Sequence, residues 1–121
     1  MKFSIITISY NSEKTIYNTL VSVKNQSYKN IEHIIVDGGS YDKTLEIVNK
    51  FNHISKIISE KDKGIYDAFN KGINIATGDI VGFLNSDDKF ISENTIDYIS
   101  KKFNDDIECV HGDLIYTNLN S

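Results

Sequence analysis

Apolar positions along this chain follow two alternating rhythms. Short, nearly continuous apolar runs occur at Phe3-Ser4-Ile5-Ile6-Thr7-Ile8, Ile31 to Val36, Lys56 to Ser59, Asp79 to Leu84 and Glu108 to Tyr116, and these read as strands. Between them the period lengthens to that of a helix. Ile16, Leu20 and Val23 share one face of a helix that Asn11 or Ser12 can cap and that runs to about Gln26. Ser40 or Asp42 can cap a second helix, with Leu45, Val48 and Phe51 facing inward. Ile65, Ala68, Phe69, Gly72, Ile73 and Ala76 form the clearest helical stripe, with Thr77-Gly78 as a left-handed stop. Ser92 can cap a last helix carrying Ile96, Ile99 and Phe103. Strands alternating with helices predict an α/β domain over residues 1–121, with a mostly parallel sheet and helices on both faces. The near-continuous run Ile31 to Val36 suits a strand covered on both sides.

Composition narrows the class without naming the chemistry. The chain has 121 residues, 40% hydrophobic and 25% charged, enough for a real core. Its formal net charge of −4 disfavours unaided binding to nucleic acid, whose phosphates reward Lys and Arg. A nucleotide remains admissible if a divalent cation bridges acid to phosphate. The lone Cys109 allows no internal disulfide, which suits a cytoplasmic setting. No apolar stretch approaches the length of a membrane span. The end at Asn118-Leu119-Asn120-Ser121, without a closing helix, resembles a cut through a larger protein.

The polar chemistry collects after the strands. Ligands of open parallel sheets bind beyond the carboxyl ends of the strands, where strand order reverses. Ser9-Tyr10-Asn11 follows the first strand, Asp37-Gly38-Gly39-Ser40 the second, Glu60 to Gly64 the third and Asn85-Ser86-Asp87-Asp88 the fourth. Asp87 and Asp88 can be turn acids, or they can hold Mg²⁺ or Mn²⁺, which take a few carboxylates and fill the remaining positions with phosphate and water. Asp37 can bond its own turn, or it can accept from a nucleoside base or ribose. Tyr10 can pack on the rim or stack on a base. Asp62 and Asp67 can serve the helix N-terminus or a ligand. His33, His53 and His111 have no zinc spacing with one another or with Cys109. Neither the dinucleotide glycine fingerprint nor the phosphate-binding loop motif occurs.

The ordered set of motifs resembles glycosyltransferase family 2. It comprises Thr7-Ile8-Ser9-Tyr10-Asn11, Asp37-Gly38-Gly39-Ser40 with Asp42 and Thr44, and Asp62-Lys63-Gly64 with Ala68, Asn70 and Gly72. Ala76-Thr77-Gly78-Asp79 and Phe83-Leu84-Asn85-Ser86-Asp87-Asp88 complete it. The variant around Glu60 to Ala68 is most similar to bacterial capsule, exopolysaccharide and lipopolysaccharide enzymes of the colanic-acid type. The resemblance implies a GT-A, Rossmann-like fold, a nucleotide-diphosphate sugar donor (UDP by family prior), Mn²⁺ or Mg²⁺, and inverting transfer to a saccharide or lipid-linked acceptor. It implies donor contacts at Ile8, Ser9, Tyr10, Asp37, Asp62, Gly64, Asp67, Asn85 and Ser86, and metal contacts at Asp87 and Asp88. The general base of such an enzyme is expected beyond residue 121. Lipid-linked acceptors would bring the enzyme to the inner face of the membrane as a peripheral protein. Three positions depart from the family pattern: Ile8 replaces a common Pro, Phe69 a common Arg, and Asn85 the first Asp of the D-x-D motif.

Two alternatives share the composition. A phosphoacceptor receiver domain has the same length and alternation, but it needs an acid pair after the first strand and a Lys after the fifth. A non-catalytic nucleotide-binding or interaction module is the other.

Overall fold

A computed structural model describes residues 1–102, 109–111 and 114–118. Six strands, β1 (Phe3–Ser9), β2 (Ile31–Asp37), β3 (Ile54–Ser59), β4 (Ile80–Phe83), β5 (Cys109–His111) and β6 (Leu114–Asn118), alternate with α1 (Ile16–Lys24), α2 (Thr44–Val48), α3 (Ile65–Ile75) and α4 (Thr95–Lys102). The sheet order is β3-β2-β1-β4-β6-β5. β1 lies parallel between β2 and β4, and β3 is parallel to β2. The single fifth strand expected over Glu108 to Tyr116 is instead two, β5 and β6, with β6 antiparallel to β4 and β5 antiparallel to β6. Strand order therefore reverses between β1 and β4, and that is where an open sheet forms a crevice. A receiver-type sheet runs 2-1-3-4-5, so this order removes that alternative.

Alternation within β1 splits the core between the two faces. Phe3 and Ile5 pack with Val23, Ile80, Leu84, Phe90, Ile96 and Ile99 on one side. On that same side Ile35 meets Ile16, Leu20 and Val48. Ile6, Ile34, Val36 and Val81 meet Ala68 of α3 on the other. Full burial of each such aliphatic side chain is worth roughly 1.5–3 kcal/mol. α3 approaches closely because Gly72 has no side chain: a Cβ there would lie 2.6 Å from Ile6 Cγ2. Its contact line is therefore narrow. Ala68 and Gly72 are buried, whereas Ile65 and Ile73, which the periodicity places inward, are 53% and 36% exposed.

Several expected caps are used otherwise. α1 begins at Ile16, not at Asn11 or Ser12. Asn11 takes a left-handed φ of 48° and its Oδ1 accepts Tyr41 N–H, so it ties one loop to the next. The N-cap residue of the short α2 is Lys43, without a side-chain cap bond, and Asp42 accepts Thr44 N–H at 2.9 Å from one position further out. α3 ends on an extended Ala76, and Gly78 is not left-handed. Gly78 is needed for close approach, since a Cβ there would meet Ser4 Oγ at 2.5 Å and Ser4 N at 2.8 Å. Phe103 lies outside the described residues.

β2 is less apolar than its neighbours suggest. Glu32 and His33 are both buried. Glu32 accepts Ser4 Oγ–H, Thr77 N–H and Thr77 Oγ1–H, and pairs with Lys56 at 3.1 Å. Burial alone would raise its pKa, but these donors outweigh it and hold the carboxyl down at about 2. His33 bonds Thr7 Oγ1 at 2.8 Å and His53 at 3.0 Å, and complete burial, with His53 beside it, lowers its pKa to about 3. The two residues lie on opposite faces of β2, nearer its amino end than the carboxyl rim.

Candidate functional site

The loops after β1, β2, β3 and β4 converge on the carboxyl edge, and Tyr10 stands between two cavities there. One, of about 530 Å³, is lined by Ile8, Ser9, Tyr10, Gly38, Gly39, Asp62, Gly64 and Ala68, among others. The other, of about 520 Å³, opens at the β1–β4 reversal and is lined by Ile8, Tyr10, Ser12, Asn85, Ser86 and Asp87, with Glu13, Lys14 and Asp42 at its side. Tyr10 is 57% exposed and edge-on to Tyr41, with ring centroids 6.3 Å apart. Its outer ring is open for stacking.

Of the residues singled out in the sequence, Ile8, Ser9, Tyr10, Asp62 and Gly64 meet at the first cavity. Ile8, Tyr10, Asn85, Ser86 and Asp87 meet at the second. Asp37, Asp67 and Asp88 line neither. Asp37 is fully buried. Its Oδ1 accepts Ser9 Oγ–H at 2.8 Å and Ser40 Oγ–H at 2.6 Å. Its Oδ2 accepts Gly39 N–H at 3.0 Å, Ser40 N–H at 2.8 Å and Ser59 Oγ–H at 3.0 Å. The turn acid thus shapes the cavity floor by holding the Gly38-Gly39 backbone beside it.

Asp62 reaches over that floor. A Cβ on Gly38 would lie 2.8 Å from Asp62 Oδ2, so only glycine leaves the carboxylate in place. Lys71, nearly two turns into α3, holds Asp62 from behind at 2.7 Å and also contacts Glu60 at 3.2 Å and Asp67 at 3.4 Å. Hydrogen bonding to Asp62, the largest influence, raises the Lys71 pKa. Its charge is already matched by three acids. Asp67 accepts Lys63 N–H at 2.9 Å, the main reason its pKa is lowered, and it braces the loop before α3. Phe69, at the family's Arg position, packs on Phe83 with centroids 4.6 Å apart. It therefore extends the apolar core.

The Asn85 to Asp88 loop is anchored from below. Leu84 N–H donates to Ile6 O at 2.9 Å and Ser86 N–H to Ile8 O at 3.2 Å, which extends the β1–β4 pairing into the loop. Asp88 N–H closes a turn on Asn85 O at 3.0 Å. Ser86 Oγ and Ser12 Oγ are 2.7 Å apart. Asp87 is exposed at the second cavity. Its neighbours there, Asn85, Ser86 and Ser12, offer oxygen donors, which suit Mg²⁺ or Mn²⁺ better than softer metals. Among the described residues no group of three or more His, Cys, Asp or Glu side chains is arranged to hold a metal ion by itself. The set therefore fits an open site in which one or two carboxylates hold a cation that takes its remaining ligands from phosphate and water.

A row of residues absent from the sequence reading holds this loop. Thr19, Ser22 and Gln26 fall at i, i+3 and i+7 along and just past α1, and each bonds the segment after β4. The signal was available as a polar stripe beside the apolar one. Gln26 Oε1 accepts Ile96 N–H at 3.0 Å, supplying a cap for α4 from a distance.

The sequence matches the family described as Glycosyl transferase family 2 over residues 4–121. It is 45% identical over 92 residues to the Escherichia coli UDP-Glc:alpha-D-GlcNAc-diphosphoundecaprenol beta-1,3-glucosyltransferase WfaP, covering 74% of this chain and 36% of that protein. It is 34% identical to a PGL/p-HBAD biosynthesis glycosyltransferase of Mycobacterium bovis, covering 98% of this chain and 48% of that one. Among solved structures, S. aureus TarS 1-349 in complex with UDP-GlcNAc superposes with a TM-score of 0.75 at 34% identity, covering 84% of this chain and 30% of that one. The mannosyltransferase PcManGT from Pyrobaculum calidifontis, in complex with GDP-Man and Mn²⁺, superposes with a TM-score of 0.87 over 98% of this chain and 45% of that one. At 21% identity the latter likeness speaks to the fold. The chain spans between about a third and a half of the length of the curated relatives.

Proposed function

Because the chain belongs to glycosyltransferase family 2, we propose that it is the donor-binding part of an enzyme that transfers a sugar from a UDP-sugar to a saccharide or lipid-linked acceptor in surface polysaccharide synthesis. The observation that carries this reading is the pair of cavities meeting at Ile8 and Tyr10, with Asp62 at one and Asp87 at the other. A nucleoside diphosphate needs both environments: a shaped, partly apolar pocket for the base and an acidic, oxygen-rich one for a cation-bridged diphosphate.

In this reading the base enters between Tyr10 and the Gly38-Gly39 floor, and Asp62 accepts an N–H from it. Asp37 acts indirectly, by fixing that floor. Gly64 leaves room at the start of α3, and Asp67 holds Lys71 and the loop in register. Asn85 and Ser86 face the ribose side, while Asp87, supported by Asp88, holds Mn²⁺ or Mg²⁺. The cation, when bound, stabilises charge developing on the leaving diphosphate, an effect worth several kcal/mol of barrier. A carboxylate base outside residues 1–121 would deprotonate the acceptor hydroxyl, typically worth about 10²–10⁴-fold, and transfer would invert the anomeric centre. An acceptor carried on lipid would place the enzyme at the cytoplasmic membrane face. No helix among the described residues is long and apolar enough to cross a membrane.

Calorimetric titration of UDP, with Mn²⁺ and with chelator, tests the reading. Mn²⁺ is expected to tighten binding, and Asp87→Ala should weaken the metal-dependent binding by about 10- to 100-fold. UDP binding that is equal with and without metal, or unchanged in Asp87→Ala, contradicts the assignment. GDP and ADP as competitors report which base the pocket prefers.

A further inference from the structure

α1 and the residues just past it carry a polar stripe whose contacts beyond the helix itself fall on one segment, the chain from Ser86 to Ile96. Thr19, only 1% exposed, directs its hydroxyl at two backbone carbonyls, Ser86 O at 2.9 Å and Asp88 O at 2.5 Å. These two carbonyls flank Asp87. Ser22 Oγ donates to Thr19 O at 2.8 Å and accepts Phe90 N–H at 3.1 Å. Gln26 Nε2 donates to Ser92 O at 2.8 Å, and Ser27 N–H donates to Glu93 O at 2.7 Å. The loop that ends β4 is thus gripped at close intervals by one helix.

We propose that this stripe, with Thr19 at its head, is a positioning device for the cation-binding Asp87; the inference rests on the metal assignment made above. Asp87 and Asp88 are adjacent carboxylates whose mutual repulsion favours any loop conformation that separates them. Pinning the carbonyls on either side of Asp87 fixes its backbone and leaves only side-chain rotamers to settle on binding. The ordering cost is then met during folding rather than during association. Groups that orient a metal ligand without touching the metal commonly change its affinity by about 10–100-fold. Thr19 shares its one hydroxyl proton between the two carbonyls from a rigid, buried helix position, which neither solvent nor the loop itself can replace.

The test measures UDP affinity with Mn²⁺ and with chelator in wild type, Thr19→Val and Thr19→Ser, at a temperature where circular dichroism shows all three folded. Valine keeps the shape of threonine and removes the donor; serine keeps the donor. Thr19→Val is expected to reduce the Mn²⁺-dependent gain in UDP affinity by about tenfold while leaving metal-free UDP binding as in wild type, and Thr19→Ser should restore the gain. If Thr19→Val does not fold, Ser22→Ala, which removes the next rung, is expected to reduce the gain about threefold. A wild-type gain in Thr19→Val, or in Ser22→Ala when that is the variant measured, overturns the positioning role and leaves the metal assignment standing. Equal losses with and without metal also overturn it, because they indicate a general structural role. No Mn²⁺ gain in wild type overturns the metal assignment and this inference together.

Discussion

Asp37 and Asp87 stand on the same rim and have opposite fates. Asp37 is the last residue of β2, and Asp87 lies in the loop that follows β4. Asp37 is wholly buried, with five protein donors on its two oxygens. Asp87 is exposed at a cavity, and the hydrogen bonds around it go to its neighbours' backbone. The contrast separates two uses of a carboxylate at a sheet edge. One is spent on the turn that makes the pocket; the other is left open to what enters the pocket. Burial with complete pairing signals architecture, and exposure on a pinned backbone signals ligand chemistry.

The largest effect that tests this contrast is on stability. Asp37→Ala leaves buried hydroxyls and N–H groups without an acceptor, and should cost about 3 kcal/mol or more in urea unfolding. Asp87→Ala, by the same measurement, should stay within about 0.5 kcal/mol of wild type. Equal losses would erase the distinction. The next effect is smaller and falls on the cavity proposed to take the base. Gly38→Ala places a methyl 2.8 Å from Asp62 Oδ2 and must displace that side chain, so UDP affinity should drop about five- to tenfold, an estimate set by one charge-assisted hydrogen bond. Its Mn²⁺ dependence should persist, because the proposed cation site lies on the other side of Tyr10. If the dependence vanishes as well, the two cavities act as one.

The last effect, absent at neutral pH and growing only on acidification, concerns the buried polar residues of β2. His33 has its pKa lowered to about 3 in the fold against an ordinary value of about 6.5. The unfolded chain therefore binds a proton that the native chain refuses, and stability contributed by neutral His33 falls as pH drops from about 6.5 toward 3. Glu32 adds a second loss, between its ordinary 4.5 and about 2. Urea midpoints should decline from pH 7 to pH 5, and His33→Gln should flatten that slope. A slope unchanged in His33→Gln would assign it to other groups.

Much of this protein was legible in the order of its residues. The alternation of apolar runs with helical stripes yields the α/β class, because hydrophobic period is a local consequence of which side of each element meets the core. Loop composition after each strand located the rim, and with it Tyr10, Asp62, Asn85 and Asp87. What the chain could not reveal locally required partners distant in sequence. Whether Asp37 faces a ligand or its own turn depends on Ser9 and Ser59, which arrive on neighbouring strands. Gly78 looks like a helix stop, but the approach of Ser4 explains it. Glu32 and His33 sit inside a strand that reads as apolar, and they are tolerated only because Ser4, Thr77, Lys56 and Thr7 satisfy them. The stripe Thr19-Ser22-Gln26 has the period of a helix face, yet its partners lie about seventy positions away, as for Gln26 and Ile96. The sequence by itself determined the elements and the chemistry available at their ends. Tertiary structure alone decided which polar groups are consumed in pairing and which stay open, because hydrogen-bond satisfaction is a property of neighbours in space.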